Sequence, residues 1–156
     1  MAPQLTIQEP NKSKFLEGIR DAILSFGNAR RYFMIGVPRY KVCLVEHDEK
    51  WAEEFEKTKL NLLKIHGDNV IDIQHVGSTA IKGIMAKPML DIAILFNAIT
   101  DSVFKAMKKK GYEYYRKVEA GHHLFILRGE GEVSLQHIHC YEEKNLEQFN
   151  NQIKFR

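Results

Sequence analysis

The sequence has 156 residues, 44% hydrophobic and 28% charged, which fits one globular domain with or without a terminal extension. Its formal net charge of +3 is too small to indicate nucleic-acid binding, so nucleic acid is not expected as a partner. Cys43 and Cys140 lie far apart, which argues against a disulfide scaffold or a zinc knuckle. The chain has a polar start and no apolar run of transmembrane length. We therefore expect a reduced, cytoplasmic protein that does not enter a membrane.

The first part of the chain predicts an arm followed by a helix. Residues 1–12 contain two prolines and few large apolar side chains, which is typical of a loose arm. From Ser13 to Phe26 apolar residues recur at helical spacing, and the pattern stops at Gly27. Such a helix is unstable by itself, so residues 1–36 are expected to pack on a domain formed by residues 37–156.

Residues 40–67 predict a strand and a long helix. The segment Tyr40–Val45 is short and β-prone. Asp48 has the short acidic side chain of an N-cap, because its oxygens can accept from the free amides of the first turn. The helix behind it ends at Gly67, and its apolar face carries Trp51, Phe55, Leu62 and Leu63.

Two apolar segments in the middle of the chain predict neighbouring core strands. Val70–Ile73 alternates like a half-buried strand, and a more continuous apolar run, Met89–Phe96, begins after Pro88. Glycine-bounded turns separate the two segments. Polar residues between and within two such strands are the clearest functional signal in this sequence.

The remaining sequence predicts a helix, a strand-rich end and a final helix. Gly129-Glu130-Gly131 is flanked by two β-prone segments and indicates a hairpin. In order, the expected elements are a helix from Thr100 or Asp101 to Gly111 with Val103, Phe104 and Met107 inward, a strand over Tyr112–Arg116, hairpin arms over His123–Arg128 and Glu132–Tyr141, and a helix from Asn145.

The order of these elements indicates the fold class. Helices and strands alternate in the first half of the chain, and the second half is rich in strands. This order favours an α+β domain with a mixed sheet and helices packed mainly on one face, rather than a doubly wound sheet.

The stretch Gly77-Ser78-Thr79 follows the first of the two central strands. It presents backbone amides and two hydroxyls at one place, a combination that suits phosphate oxygens. Glycine also lets the backbone approach a ligand closely. The alternative is that Gly77 only allows a turn and Ser78 caps a short helix. The stretch is not a Walker loop, because the required order of glycines, lysine and hydroxyl is missing.

Asp91 lies inside the second predicted core strand, where a carboxylate is unfavourable unless something pairs with it. Lys87 precedes it by four residues and is a candidate phosphate ligand. Both residues have structural alternatives. Asp91 could be a buried acid paired with Lys87 or a histidine for structure alone, and Lys87 could simply extend into solvent from the strand end.

Five histidines are candidates for the same site. His137 and His139 lie two apart on a predicted strand, so their rings share a face and suit a metal or an anion. His122 and His123 are adjacent, so at most one of them joins any site. His75 immediately precedes the Gly-Ser turn. A single histidine is more often a core or surface residue, whereas the spaced pair favours a site.

Many of these residues occur together in a known family. The stretch His75–Ala80, with Gly83, Ala86-Lys87-Pro88 and Asp91-Ile92, resembles the signature of the GrpB family, which is related to the nucleotidyltransferase superfamily of the polymerase β type. The resemblance extends from about residue 40 to the C-terminus and also includes Trp51, Phe55, Lys110–Tyr112, His137, His139 and Phe155-Arg156.

The resemblance implies a nucleotidyltransferase-like fold and metal-assisted nucleotidyl transfer. The superfamily places a second acid two residues after the first, and here that position is Ala93. The family also continues into a longer C-terminal helix, which is expected to be short here. The implied phosphate- or nucleotide-binding residues are His75, Gly77, Ser78, Thr79 and Lys87, the catalytic residues are Asp91 and His139, and the metal ligands are Asp91, His137 and His139.

The metal prediction is specific about geometry. Asp91, His137 and His139 are expected to face one cleft, with His139 nearer to Asp91 than His137. The histidine pair is expected to fill the space beside Ala93. Mixed nitrogen and oxygen ligands suit Mn²⁺ or Zn²⁺ better than Mg²⁺, which prefers oxygen ligands.

Three functions remain open at this point. The first is a metal-dependent nucleotidyltransferase. The second is a non-catalytic module that binds a nucleotide or a phosphorylated small molecule. The third is a metal-dependent hydrolase of phosphate esters that uses Asp91, His137 and His139. The acceptor, the nucleotide and the oligomeric state are left open.

Overall fold

A computed structural model describes residues 35–37 and 43–156. These residues belong to the unit Met34–Arg156. They contain three α-helices and five strands. In chain order these are α1 (Lys50–His66), β1 (Val70–Val76), β2 (Leu90–Phe96), α2 (Asp101–Lys109), β3 (Tyr112–Glu119), β4 (His122–Arg128), β5 (Ser134–Glu142) and α3 (Leu146–Lys154).

The five strands form one mixed sheet in the order β1-β2-β5-β4-β3. β1 pairs with β2, β3 with β4, and β4 with β5, all antiparallel, whereas β2 and β5 are parallel. The last strand therefore lies in the middle of the sheet. In the parallel pair, Asp91 is opposite His137 and Ala93 is opposite His139.

One face of the sheet carries the main core. Because side chains alternate along a strand, Ile92, Ile94 and Ile138 point to this face, where α1 and α2 cover them. The helices contribute Trp51, Phe55, Leu62, Val103 and Met107, all of them buried. Full burial of a large apolar side chain contributes about 1.5–3 kcal/mol, so this layer is the main source of stability.

The opposite face carries a smaller apolar cluster under α3. Phe149 of α3 packs with Val76, Ala93, Leu95 and Tyr141 from three strands. Two helices thus lie on one face and one short helix on the other. This arrangement confirms the prediction of an α+β domain with a mixed sheet and helices mainly on one face.

Several boundaries differ from the sequence predictions. The N-cap position of α1 is Glu49 rather than Asp48, although Asp48 Oδ1 accepts from the Lys50 amide at 2.9 Å. Leu63 is 38% exposed, so its assignment to the buried face was wrong. Of the predicted strand over residues 40–45, residues 40–42 lie outside the described part, and Val45 forms only an isolated bridge with Ala86. The predicted helix at residues 13–26 also lies outside the described residues.

Within residues 35–37 and 43–156, no helix combines the length and the apolar character needed to cross a membrane.

Candidate functional site

The structure brings Asp91, His137 and His139 together on one face of the sheet. Asp91 Oδ1 lies 3.6 Å from His137 Nδ1 and 3.9 Å from His139 Nε2. The prediction that these three residues face one another is confirmed in its geometry. The prediction that His139 is the nearer histidine was wrong, because the parallel register places His137 directly opposite Asp91.

Gly77 lies directly against the Asp91 carboxylate. It has φ 72°, a conformation that L side chains rarely adopt, and a Cβ at this position would lie 2.7 Å from Asp91 Oδ2. The Gly77-Ser78 turn can therefore approach the acid only because residue 77 has no side chain. Ser78 begins a short 3₁₀ turn, Ser78–Ala80, and is half-buried.

Charged groups of both signs act on the His137 ring. Burial lowers the pKa of His137 and the negative charge of Asp91 opposes this effect. His139, Arg128 and, least of all, Lys87 also lower the pKa. Lys87 is exposed. Its charge therefore acts on His137 from the solvent side.

Ala93 is fully buried in the cluster under α3. The prediction that the histidine pair fills the space beside Ala93 is confirmed only for His139, which is opposite Ala93 in the β2–β5 register, and Phe149 and Leu95 belong to the same apolar cluster as Ala93. The position where the superfamily has its second acid is therefore part of a hydrophobic core. A carboxylate there would enter this apolar cluster, with His139 and Gln74 opposite it on the two neighbouring strands.

His75 and Thr79 lie on the other side of the sheet from Asp91. His75 is opposite Ile92 in the β1–β2 register and stacks on Phe55 of α1 at 5.1 Å. Its Nε2 is 2.9 Å from Thr79 Oγ1, and that hydroxyl donates to the Met89 carbonyl at 3.2 Å. Since a hydroxyl has one proton, His75 Nε2 must be the donor to Thr79.

This arrangement changes the interpretation of both residues. They are 9% and 1% exposed, and their polar groups are used to fix the loop between β1 and β2. The sequence prediction that His75 and Thr79 bind phosphate does not fit this geometry. Instead, their hydrogen bonds fix the position of the loop that contains Gly77.

A pH dependence of stability is expected from His75. Burial lowers its pKa from 6.5 to about 4, so the folded protein disfavours the protonated ring. The unfolded chain binds this proton below about pH 6.5, so the free energy of unfolding should fall as the pH drops from 6.5 towards 4, by about 1–2 kcal/mol after solvent screening. Urea denaturation at several pH values measures this loss.

His75→Gln provides the control, since glutamine can still donate to Thr79 but does not titrate. We expect its stability curve to be flatter than that of the wild type between pH 6.5 and 4, and parallel to it above pH 7. Equal slopes over the acid range would contradict a role for His75.

Asp91, His137 and His139 meet the requirements of a metal site only in part. Each histidine nitrogen lies within the ~4 Å that separates two ligands placed ~2 Å from one ion. However, among residues 35–37 and 43–156 no group of three His, Cys, Asp or Glu side chains is arranged to hold a metal ion. Asp91 paired with one histidine offers two ligands to a single ion. The two-ion arrangement of a nucleotidyltransferase needs a second carboxylate, and that position is the buried Ala93.

The sequence predicted that at most one of His122 and His123 joins the site and did not decide between them. His122 Nε2 lies 3.2 Å from His139 Nδ1, so His122 extends the site onto β4. The pairing of the hairpin could have identified it. His122 is opposite Tyr141, and Tyr141 shares a face with His139, so His122 lies on the face of the site.

The chain belongs to the GrpB family, since the family described as GrpB protein matches residues 41–156. Glutamate-rich protein GrpB of Alkalihalophilus pseudofirmus is 43% identical over 89 residues, which cover 55% of this chain and 51% of that protein. UPF0157 protein YqkA of Bacillus subtilis is 33% identical over 110 residues, covering 69% of this chain and 32% of that protein. The chain thus spans about half the length of the first relative and about a third of the second.

The fold is shared with a solved member of the family. The conserved protein GrpB from Enterococcus faecalis superposes with a TM-score of 0.66 at 25% identity, covering 73% of this chain and 70% of that one. The Cid1 poly(U) polymerase bound to MgGTP gives a TM-score of 0.47 at 12% identity over 93% of this chain and 42% of that one. The second similarity is too weak to carry a functional conclusion.

Proposed function

We propose that this chain binds a nucleoside triphosphate or another phosphorylated ligand at the Gly77-Ser78 turn and does not carry out two-metal nucleotidyl transfer. The observation that carries this proposal is the combination of a glycine turn that lies directly against Asp91 with a buried alanine, Ala93, two residues after that acid. The Gly77-Ser78 turn supports the binding half of the proposal, and Ala93 at the position of the superfamily's second acid supports the non-catalytic half.

The contacts around the turn support the binding half of the proposal. Gly77 allows the backbone to lie beside Asp91, and the half-buried Ser78 follows it. Lys87 supplies positive charge near His137. A phosphate at this place would meet the negative charge of Asp91, so its binding needs a counter-charge.

A divalent cation carried in with the phosphates would supply that counter-charge, and Asp91 together with His137 or His139 would be its protein ligands, the phosphate oxygens supplying others. The nitrogen atoms of the histidines favour Mn²⁺ or Zn²⁺ over Mg²⁺. We therefore expect nucleotide affinity to be higher with Mn²⁺ than with Mg²⁺ and lowest in EDTA. Isothermal titration calorimetry with each of the four nucleoside triphosphates measures this order.

Ser78→Ala tests the position of the ligand. Loss of a hydrogen bond to a charged group should weaken nucleotide binding by about 1.5–3 kcal/mol, roughly a factor of 10 to 150, without changing the melting temperature. Ser102→Ala on α2 is the matched control, because Ser102 is exposed and its hydroxyl contacts Thr100. Equal affinities of wild type and Ser78→Ala would exclude this turn as the binding site.

The contacts of Asp91 with both histidines also support the second candidate, a metal-dependent hydrolase of phosphate esters. The same reaction mixtures distinguish the candidates through their products. A binding module releases nothing, a transferase releases pyrophosphate, and a phosphate-ester hydrolase releases inorganic phosphate. Release of pyrophosphate that is lost in Asp91→Asn would overturn the proposed function.

A further inference from the structure

A cavity of about 500 Å³ lies between α2 and the strands β3 and β4. Phe125, one of its lining residues, is opposite Ile138 of the main core, so the cavity lies on the face of the sheet that points away from Asp91. Its volume falls within the range of small-molecule sites, about 300–1,000 Å³. The cavity is therefore large enough for a small ligand and separate from the site described above.

Three aromatic rings form an apolar surface in this cavity. The ring centroid of Phe104 on α2 is 5.1 Å from that of Tyr114 on β3 and 5.3 Å from that of Phe125 on β4. The rings of Tyr114 and Phe125 are also 5.3 Å apart. The Tyr114 hydroxyl lies 3.2 Å from His123 Nδ1, so contacts on several sides hold this ring although the residue is 46% exposed. A ligand would therefore meet a preformed aromatic surface.

Two lysines give the cavity a positive charge. Lys105 and Lys108 line it from α2, three residues apart on the same side of the helix, and both are exposed. Glu113 on β3 also lines the cavity, but its Oε2 accepts from Arg128 Nε at 3.0 Å, so a cation already offsets its charge. The two lysines are therefore available to an anionic ligand.

We propose that this cavity binds a small planar aromatic anion. Its ring would contact Phe104, Tyr114 and Phe125, since aromatic rings prefer edge-on or offset contacts with other rings. Its anionic group would lie near Lys105 and Lys108, since an ammonium group attracts carboxylate and phosphate alike. Aromatic carboxylates and aromatic phosphate esters share this chemistry. The inference goes beyond the proposed function, because the two sites lie on opposite faces of the sheet.

Titration with naphthoate and naphthamide, followed by amide NMR, tests the proposal. The two probes have the same ring, and only naphthoate carries a negative charge. We expect naphthoate to bind saturably and more tightly than naphthamide, with an advantage that shrinks as salt screens the lysines. The amide signal of Gly111, which lines the cavity, should shift, and that of Gly77 should not.

The double variant Lys105→Gln/Lys108→Gln tests the role of the charges. Loss of two exposed ion contacts should weaken naphthoate binding by a factor of about 2 to 30 and leave naphthamide binding unchanged. Lys109→Gln/Lys110→Gln is the matched control, because these lysines are exposed at the end of the same helix, outside the described lining of the cavity. All four positions are on the surface, so both variants should fold.

Tyr114→Leu tests the role of the rings. It should weaken the binding of naphthoate and naphthamide alike, because leucine keeps an apolar side chain but has no ring. Tyr115→Leu is the matched control, since Tyr115 is the neighbouring exposed tyrosine and lies outside the described lining. Its affinities for both probes should equal those of the wild type.

Naphthyl phosphate is the third probe and identifies the preferred anionic group. A higher affinity than naphthoate at the Gly111 signal assigns a phosphate ester to the cavity, and a lower affinity assigns a carboxylate. Three results would overturn the proposal: equal affinities for naphthoate and naphthamide, equal losses in the two lysine double variants, or a naphthoate shift at Gly77 instead of Gly111. A failure of nucleotide to bind at the Gly77-Ser78 turn would overturn the proposed function alone and would not change these results.

Discussion

Ala93→Asp is expected to destabilise the fold by about 3–5 kcal/mol, the range seen when a buried charge has no partner. The physical reason is the environment of the side chain, since Ala93 is fully buried and belongs to the apolar cluster with Leu95 and Phe149. Restoring the superfamily's second acid should therefore disrupt the cluster under α3 rather than create a second metal ligand. Urea denaturation followed by tryptophan fluorescence measures the change, because Trp51 is fully buried.

Ala98→Asp is the matched control, because Ala98 is exposed and the same side chain is introduced. Its stability should stay within about 0.5 kcal/mol of the wild type. If Ala93→Asp were as stable as Ala98→Asp and bound Mg²⁺ more tightly than the wild type, the apolar cluster would not exclude an acid. The site would then be a depleted nucleotidyltransferase centre, as the family resemblance alone suggested.

Gly77→Ala should remove ligand binding at the turn and lower stability by more than backbone strain alone. The backbone of Gly77 has φ 72° and ψ −172°, a conformation essentially restricted to glycine, and another residue there costs about 1–3 kcal/mol. At Gly77, with φ 72°, the added methyl group would also lie 2.7 Å from Asp91 Oδ2 and 3.0 Å from its Cβ, so the turn and the acid must separate. Calorimetric titration with a nucleotide and thermal denaturation measure the two effects.

Gly83→Ala separates strain from steric overlap. Gly83 has φ 79°, similar to that of Gly77, but a Cβ there has no heavy atom within 4 Å. We expect this variant to lose only the strain contribution and to keep its affinity for nucleotide. Equal losses of stability and affinity in the two variants would show that the approach of Gly77 to Asp91 has no functional importance.

The elements of the fold that local patterns determine were predicted well. β2 follows Pro88 as a continuous apolar segment, and α1 ends at Gly67 as expected. Leu63 shows where such patterns fail. Successive residues of a helix point about 100° apart, and α1 buries one side only, so Leu62 is buried and Leu63 is not.

The candidate site was predicted less completely because it depends on pairing between distant strands. Alternation placed His137 and His139 on one face, but the parallel register of β2 and β5 decides which histidine is opposite Asp91. Alternation also places His75 on the face of Ile73, away from Asp91. Nearness in sequence to the Gly77 turn suggested a shared role that the direction of the side chain excludes.

The position of β5 affects how the protein is made. β1 and β2 are consecutive in sequence and antiparallel, and so are β3 and β4, whereas β5 lies between these two pairs. During synthesis, a nascent chain that ends before Ser134 carries both strand pairs but not the strand that joins them. Until β5 is inserted, β2 and β4 each present an unpaired edge, which favours aggregation, and Asp91 has neither histidine beside it. The same strand therefore closes the sheet and completes the site.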